Sequence, residues 1–358
     1  MSLLARARPE LAAFKPYASA RRAGFEARIR LDANESPWDL REEGVDIDAG
    51  LNRYPSPQPA DLRARLAALY GADPAQLWIG RGSDEAIDLL LRAFCRAGRD
   101  NVVAFAPTFG MYRIGSALQG ADYRALALDA DDDFALDPEK LLDLCDDDTK
   151  LVIVCSPNNP TGTLYHGQLI EQLAATLAGR ALLLVDEAYV EFAGVPSASA
   201  LIERHANVGV LRTLSKAHAL AGERLGTLIA REEIIELVGR IAAPYPLPTL
   251  SVRAALAALD ANALLRTQAR IALLVDERER MGKMLALSPF VRKVWPSSAN
   301  FLLVRFDDSR AAFERLLAAG ILVRDFSTQP GLANCLRITI GKPDENDALL
   351  VALAGEAR

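Results

Sequence analysis

Three short, continuous apolar runs stand out along the chain: Leu151-Val152-Ile153-Val154-Cys155, Ala181-Leu182-Leu183-Leu184-Val185 and Val208-Gly209-Val210-Leu211. Runs of this length, rich in Leu and β-branched residues with no polar alternation, predict strands covered on both faces, as in a parallel sheet. Upstream, residues 77–79 and 101–105 read as further strands. Between them Ile87, Leu90, Leu91 and Phe94 share one face of a helix predicted over 84–97, and ahead of both strands Leu62, Leu66 and Leu69 do the same over 61–70. Helical segments separate the first two apolar runs, so strand and helix alternate and predict an α/β unit. After Pro244-Tyr245-Pro246-Leu247-Pro248 the pattern predicts one long helix over 252–287. Strand 300–304, helix 311–319, strands 321–323 and 336–340 and helix 345–354 then predict a second, smaller α+β unit.

The Pro-rich stretch Arg53-Tyr54-Pro55-Ser56-Pro57-Gln58-Pro59 is expected to be extended or turned, because Pro disfavours a helical predecessor. The expected organisation is an N-terminal arm over 1–37, a large domain over 38–250, and a linking helix with a small domain over 251–358. No internal repeat or low-complexity tract interrupts it.

The 358 residues are 51% hydrophobic and 25% charged, ordinary for a globular chain with room for one large or two modest domains. No uncharged apolar run reaches about eighteen residues, so no membrane span is expected. The first residues lack a signal-peptide pattern, and the expected compartment is the cytoplasm. Net charge is -6 with no Lys/Arg stripe, which argues against nucleic acid as a partner. The acidic clusters at 129–133 and 146–148 read as solvated loops and not as metal sites, since no calcium-loop pattern follows. The four cysteines (Cys95, Cys145, Cys155, Cys335) are scattered and read as reduced thiols. The three histidines (His166, His205, His218) show no metal-ligand spacing, and no metal is expected.

Ligands of parallel α/β sheets collect at the carboxyl ends of strands. Here each apolar run leads into polar chemistry: Ser156-Pro157-Asn158-Asn159-Pro160-Thr161-Gly162, Asp186-Glu187-Ala188-Tyr189, and Arg212-Thr213-Leu214-Ser215-Lys216. Each has a plain reading alone: a turn, an acceptor for backbone N–H groups, a surface lysine. Together, at three strand exits, they suit pyridoxal phosphate. That cofactor takes a lysine for its Schiff base, a carboxylate on its ring nitrogen, and hydrogen-bond partners for its 3-oxygen. Gly80-Arg81-Gly82-Ser83-Asp84-Glu85, between a strand and a helix, either caps that helix or offers its N–H groups to a phosphate. It is not a dinucleotide fingerprint, because Glu85 stands at the third glycine position. Arg224 can add the cationic half of a phosphate site.

These residues resemble the fold-type-I pyridoxal-phosphate-dependent aminotransferases and, within that class, the histidinol-phosphate aminotransferases. Asn-Asn-Pro-Thr-Gly, Asp-Glu-Ala-Tyr and Ser-Lys…Arg carry the broad likeness. Leu31-Asp32-Ala33-Asn34-Glu35, Arg53-Tyr54-Pro55, Gly82-Ser83-Asp84-Glu85, Pro107-Thr108-Phe109-Gly110-Met111-Tyr112 and Ala243-Pro244-Tyr245-Pro246 carry the narrower one. The resemblance covers nearly the whole chain. It implies an α/β fold with a mostly parallel central sheet in the large domain and a smaller α+β domain.

The implied reaction is transamination of L-histidinol phosphate with 2-oxoglutarate, by a ping-pong route. By the resemblance, Lys216 forms the Schiff base and moves the proton. Asp186 pairs with the ring nitrogen, Asn159 and Tyr189 hold the 3-oxygen, and Phe109 stacks on the ring. Ser83, Asp84, Ser215 and Arg224 bind the cofactor phosphate. Tyr54 reaches that phosphate from a neighbouring subunit, which implies a homodimer with shared active sites. Tyr17, Asn34, Arg324 and Arg337 serve the substrate. The two arginines would read the phosphate of one substrate and the carboxylate of the other, because a planar guanidinium binds either anion bidentately.

Two residues depart from the family's usual pattern. Phe109 stands where many relatives have tyrosine, keeping the stacking and losing a hydroxyl. His218 stands where phenylalanine is usual, and either packs or tunes the charge of the site. For Arg324 an ion pair with Asp325 is the structural alternative. An aromatic-amino-acid aminotransferase and a threonine-phosphate decarboxylase are the competing activities. A cofactor-binding regulator is disfavoured by the lack of a DNA-binding segment or basic patch.

Overall fold

The computed structural model describes residues 28–32, 34 and 54–354. Most of the expected arm, Tyr17 included, and residues 38–53 of the expected large domain therefore lie outside the described residues.

In chain order the first elements are β1 (Ile29–Leu31), α1 (Ala60–Tyr70), β2 (Leu77–Arg81), α2 (Ser83–Phe94), β3 (Asn101–Ala106), α3 (Met111–Gln119) and β4 (Asp122–Ala127). Then come α4 (Pro138–Leu142), β5 (Thr149–Cys155), α5 (Gly167–Thr176), β6 (Leu182–Asp186), β7 (Val208–Thr213), β8 (Leu225–Ala230) and α6 (Glu232–Ile241). The remainder is α7 (Thr249–Ala258), α8 (Ala261–Ala286), β9 (Val291–Val294), β10 (Phe301–Phe306), α9 (Ser309–Ala318), β11 (Ile321–Asp325), β12 (Cys335–Thr339) and α10 (Pro343–Ala354).

A seven-stranded sheet has the order β2-β8-β7-β6-β5-β3-β4. All its neighbours pair in parallel except those of β8, which runs against both β2 and β7. The central strands are apolar throughout because both faces are covered, and successive side chains still alternate between two cores. Val103, Val152, Val154, Leu183, Val185 and Val210 pack with α1, α5 and α7. Val102, Leu151, Ile153, Leu182, Leu184 and Leu228 pack with α2 and α6 on the other side. Each such side chain, fully buried, contributes about 1.5–3 kcal/mol relative to exposure.

A five-stranded sheet, β1-β11-β12-β10-β9, is antiparallel except for the β1–β11 pair. Its core takes Leu274, Met281 and Leu285 from α8 and Leu349 and Leu353 from α10. It also takes Tyr189 and Phe192 from the segment after β6, so the two sheets share packing next to the strand exits. Among the described residues no helix is long and apolar enough to cross a membrane.

The structure corrects several expectations. The single helix over 252–287 is two, broken at Leu259. Asp260 there leaves the helical region and its carboxylate accepts the Asn262 N–H at 3.0 Å, a new N-cap. α2 ends at Phe94, not 97, with Cys95 extended. The 146–148 cluster is more than a solvated loop: Asp146 accepts from Asn101 (2.8 Å) and Arg124 (2.6 Å), joining β3 and β4 to the loop before β5. The sequence pattern does not predict strands β1, β4, β8 and β9 or helices α3, α4 and α6.

Candidate active site

The sheet's direction explains where the polar residues gather. β5 and β6 are in register with Cys155 opposite Asp186, and β6 and β7 with Asp186 opposite Leu211. The segments after all three strands therefore leave the same edge. β8 is antiparallel, so it begins where its neighbours end: Gly226 is opposite both Thr213 and Gly80. That reversal puts Arg224, just before β8, on the same edge as Ser83, which opens α2 after β2.

Asp186 ends β6 and is 3% exposed. Its Oδ2 accepts the Tyr112 hydroxyl at 2.6 Å and its Oδ1 accepts the Ala188 N–H at 3.1 Å. Burial pushes its carboxyl up to about 6, against the lowering effect of those two bonds. Tyr189 is buried, with its ring edge-on to Phe301 at 5.1 Å. Its hydroxyl accepts from Asn34 Nδ2 at 3.2 Å, and burial pushes its phenol up. Lys216 Nζ lies 5.7 Å from the centre of the Tyr189 ring.

The paired asparagines after β5 divide their work. Asn158 is wholly buried, accepts from Thr108 Oγ1 (2.8 Å) and donates to Pro107 O and Thr161 Oγ1 (2.9 Å each), locking the loop after β3 to the loop after β5. Asn159 turns to the smaller sheet, where its Oδ1 accepts from Arg337 Nη1 at 2.5 Å. The second Arg337 amino group donates to Asp32 O at 3.0 Å, and the guanidinium lies over Phe301 and Phe326. Arg324 is directly opposite Arg337 in the β11–β12 ladder. Like charges in that position repel, a cost that an anion between them removes. Beside Arg324, Asp325 Oδ1 accepts the Ser327 N–H at 2.7 Å. Asn34, at φ 55°, exchanges hydrogen bonds with Thr339 through its N–H (3.0 Å) and Oδ1 (2.8 Å).

The start of α2 has the features of an anion site. Its N-cap is Gly82 at φ 79°, which offers no side chain to the first-turn N–H groups. A Cβ on Gly226 would stand 2.2 Å from Ser83 N, so only glycine lets β8 pass that close. Arg224 has a left-handed backbone, φ 56°, a conformation costing a non-glycine residue about 1–3 kcal/mol. Its guanidinium donates to Asp84 Oδ2 and Ala221 O, both at 3.2 Å. Ser215 follows on β7, its N–H on Thr213 Oγ1 at 3.1 Å. A strained arginine held over an uncapped helix N-terminus fits a phosphate, and a buried carboxylate and a lysine at the same edge fit a pyridine ring and an aldehyde. Among the described residues no cluster could hold a metal ion.

Phe109 is half-buried and edge-on to Tyr112 at 5.6 Å. Tyr54 is not brought to this group within one chain. It is 82% exposed and stacks on Tyr245 at 4.6 Å. Tyr112 and Asn158 had no assigned role in the sequence reading. For Tyr112 the available signal was its place at the start of a helix three residues after Phe109.

The chain matches the family described as aminotransferase class I and II over residues 29–353. It is 49% identical over 354 residues to the histidinol-phosphate aminotransferase of Stenotrophomonas maltophilia, covering 98% of this chain and 96% of that protein. To the enzyme of the same name from Xanthomonas axonopodis pv. citri it is 50% identical, covering 98% and 97%. Among solved structures, histidinol-phosphate aminotransferase from Sinorhizobium meliloti in complex with pyridoxal-5'-phosphate superposes with a TM-score of 0.85 at 27% identity, over 98% of this chain and 96% of that one. With this full-length likeness and a fold-type-I architecture, the chain belongs to the class I and II aminotransferases and, within them, to the histidinol-phosphate aminotransferases.

Proposed function

We propose that this chain transfers the amino group of L-histidinol phosphate to 2-oxoglutarate, giving imidazole-acetol phosphate and L-glutamate, as a pyridoxal-phosphate-dependent step of histidine biosynthesis. In the balance the donor's C–N bond becomes C=O and the acceptor's C=O becomes C–N, in two half-reactions at one site. The observation that carries this reading is the meeting of Asp186, Tyr189, Asn159 and Lys216 at one sheet edge, with the α2 N-terminus and Arg224 on one side and Arg337 and Arg324 on the other.

Pyridoxal phosphate, when bound, supplies a carbonyl that takes up amines and a ring that accepts the electron pair left by a departing proton. The N–H groups of Ser83 and Asp84, Ser215 and Arg224 hold its phosphate. The Asp186 carboxylate holds a proton on its ring nitrogen, kept ionised by Tyr112 and the Ala188 N–H. Asn159 and Tyr189 bond its 3-oxygen, and Phe109 covers one ring face. Lys216 Nζ would hold the cofactor through its carbonyl carbon, and would carry the proton removed from the substrate carbon bearing nitrogen to the cofactor. Arg337 and Arg324 bind the phosphate of one substrate and the carboxylate of the other, with Asn34 and Tyr17 beside them. The Arg337–Asn159 bond ties this anion pocket to the cofactor's 3-oxygen.

The active protein is a homodimer in the cytoplasm. Tyr54, with its exposed stack on Tyr245, reaches the cofactor phosphate of the partner subunit. Residues 38–250 form the large domain, 251–358 the small one, and 1–37 an arm over the substrate.

A visible-absorption titration of the cofactor-loaded protein tests the reading. L-histidinol phosphate, added without oxo acid, should bleach the band at low concentration, and 2-oxoglutarate should restore it. Bleaching mainly by L-phenylalanine would replace this reading with an aromatic aminotransferase, and carbon dioxide release from threonine phosphate with a decarboxylase.

A further inference from the structure

Asn34 is buried, and its hydrogen bonds run to three other buried residues, Thr339, Asn300 and Tyr189. Thr339 ends β12 and is opposite Phe301 of β10, which Asn300 immediately precedes. From these adjacent strands both backbone groups of Asn34 are held by side chains. Its N–H donates to Thr339 Oγ1 at 3.0 Å, and its carbonyl accepts from Asn300 Nδ2 at 3.2 Å. That grip fixes the backbone at φ 55°, a left-handed conformation that asparagine adopts more readily than most residues.

The side-chain amide is fixed as well, and its two ends are not equivalent. Oδ1 accepts from Thr339 Oγ1 at 2.8 Å, and Nδ2 donates to the Tyr189 hydroxyl at 3.2 Å. Turning the amide over would exchange these ends. Nδ2 would then face a threonine oxygen that already accepts the Asn34 N–H, and the threonine hydrogen would lose its acceptor. Among the described contacts Thr339 Oγ1 has no other partner. A buried hydroxyl without an acceptor is destabilising, so Thr339 selects the orientation with Nδ2 toward Tyr189.

That orientation decides what the phenol can do, because a hydroxyl has only one hydrogen. With Nδ2 beside it, Tyr189 Oη accepts from Asn34 and, among the described contacts, donates to no protein group. Its hydrogen is left for the cofactor. With Oδ1 beside it, the phenol would donate to Asn34 and its hydrogen would be withdrawn from the cofactor.

We propose that Thr339 is a positioning residue: it holds the Asn34 amide with Nδ2 toward Tyr189 and so directs the Tyr189 hydroxyl hydrogen to the cofactor's 3-oxygen. The proposal rests on the assignment of Tyr189 to that oxygen. It gives a polar function to the last residue of β12, two positions beyond Arg337. Valine would fill the same strand position, and only the hydroxyl distinguishes the two.

The pH midpoint of the bound cofactor's visible band reads this bond. A donor on the 3-oxygen favours its charged state, so losing the donor moves the midpoint up. The ionisable groups around the Tyr189 phenol, namely Arg337, Asp186, Cys155 and Lys216, are the same in every variant below. Tyr189→Phe sets the full shift. Thr339→Val keeps the shape without the hydroxyl and should raise the midpoint by about half to one pH unit, the loss of one neutral hydrogen bond. Thr339→Ser keeps the hydroxyl and should stay within about a quarter of a unit of the wild type. Thr339→Val combined with Tyr189→Phe should shift no further than Tyr189→Phe alone, because both act through one bond.

A Thr339→Val midpoint equal to the wild type, a serine variant shifted as far as the valine one, or additive shifts in the combined variant would each overturn the proposal and leave Tyr189 on the 3-oxygen. No shift in Tyr189→Phe would instead remove the Tyr189 assignment, and the proposal with it. Neutron diffraction from wild-type crystals loaded with cofactor reads the same hydrogens without a variant. The Thr339 deuterium should lie toward Asn34 Oδ1, and a Tyr189 deuterium directed at Asn34 would overturn the proposal.

Discussion

The Tyr112 hydroxyl donates to Asp186 Oδ2 at 2.6 Å from a side chain with no solvent exposure. Among the described contacts it is the one side-chain hydrogen bond to the carboxylate assigned to the cofactor's ring nitrogen, and it favours the ionised form. A hydrogen bond to a charged group contributes about 1.5–3 kcal/mol. Tyr112→Phe should therefore weaken cofactor binding roughly 10- to 100-fold while the protein stays folded. Equilibrium dialysis against pyridoxal phosphate measures it; unaltered affinity would remove Tyr112 from the site's machinery.

The raised carboxyl of Asp186 makes the cofactor-free protein pH-dependent in a definite direction. Its folded value of about 6 exceeds the ordinary 3.8, so between these values the folded state holds a proton the unfolded chain has lost. Stability from this group is present below that window and falls as pH rises through it, by about 3 kcal/mol. Thermal unfolding of cofactor-free wild type against Asp186→Asn should show the difference growing from pH 4 to pH 6 and level above. The cofactor's ring nitrogen, paired with the carboxylate, should abolish the trend.

Arg337 spends its fork on two partners, Asn159 and the Asp32 carbonyl, while stacked on two aromatic rings. A lysine is a point charge and reproduces neither the fork nor the stacking. Arg337→Lys should raise KM for histidinol phosphate and for 2-oxoglutarate together, each by about tenfold or more. A rise confined to one substrate would mean that the two anions occupy different pockets.

Gly226 has ordinary backbone angles, yet its Cβ position lies 2.2 Å from Ser83 N and 2.3 Å from Gly82 C. Both obstacles are backbone, so Gly226→Ala must push β8 away from the start of α2. We expect a loss of about 2–3 kcal/mol, a Tm lower by roughly 3–4 °C, and weakened cofactor retention. Calorimetry with and without cofactor measures all three. A Gly222→Ala control, where the added carbon meets nothing within 4 Å, should be silent.

What could be read from the sequence follows from how local each signal is. The runs at 151–155, 181–185 and 208–211 became β5, β6 and β7 because residues apolar on both faces have few other places to be. β4 escaped notice because it is the half-exposed edge strand, Asp122–Ala127, with polar and apolar residues mixed. β8 was missed because Gly226 and Thr227 interrupt its apolar run, although the whole strand is buried. The break at Leu259-Asp260 was hidden because apolar periodicity continues across it and only the Asp260 cap marks it.

The sequence by itself determined the chemistry at the strand exits, because asparagine, aspartate, tyrosine, serine and lysine each followed an apolar run and a parallel sheet sends such runs out of one edge. Which partners those residues meet was decided by the tertiary structure. Tyr112 lies 74 positions from Asp186, and Arg337 lies 178 from Asn159. No local periodicity encodes contacts of that length; they arise when α3, packed on α2 and β4, brings Tyr112 to the end of β6, and when β12 brings Arg337 to the loop after β5. The reversal of β8 likewise put Arg224 over α2, and burial behind β7 left His218 and Arg212 with polar atoms turned inward, because strand direction and desolvation are properties of the assembled sheet.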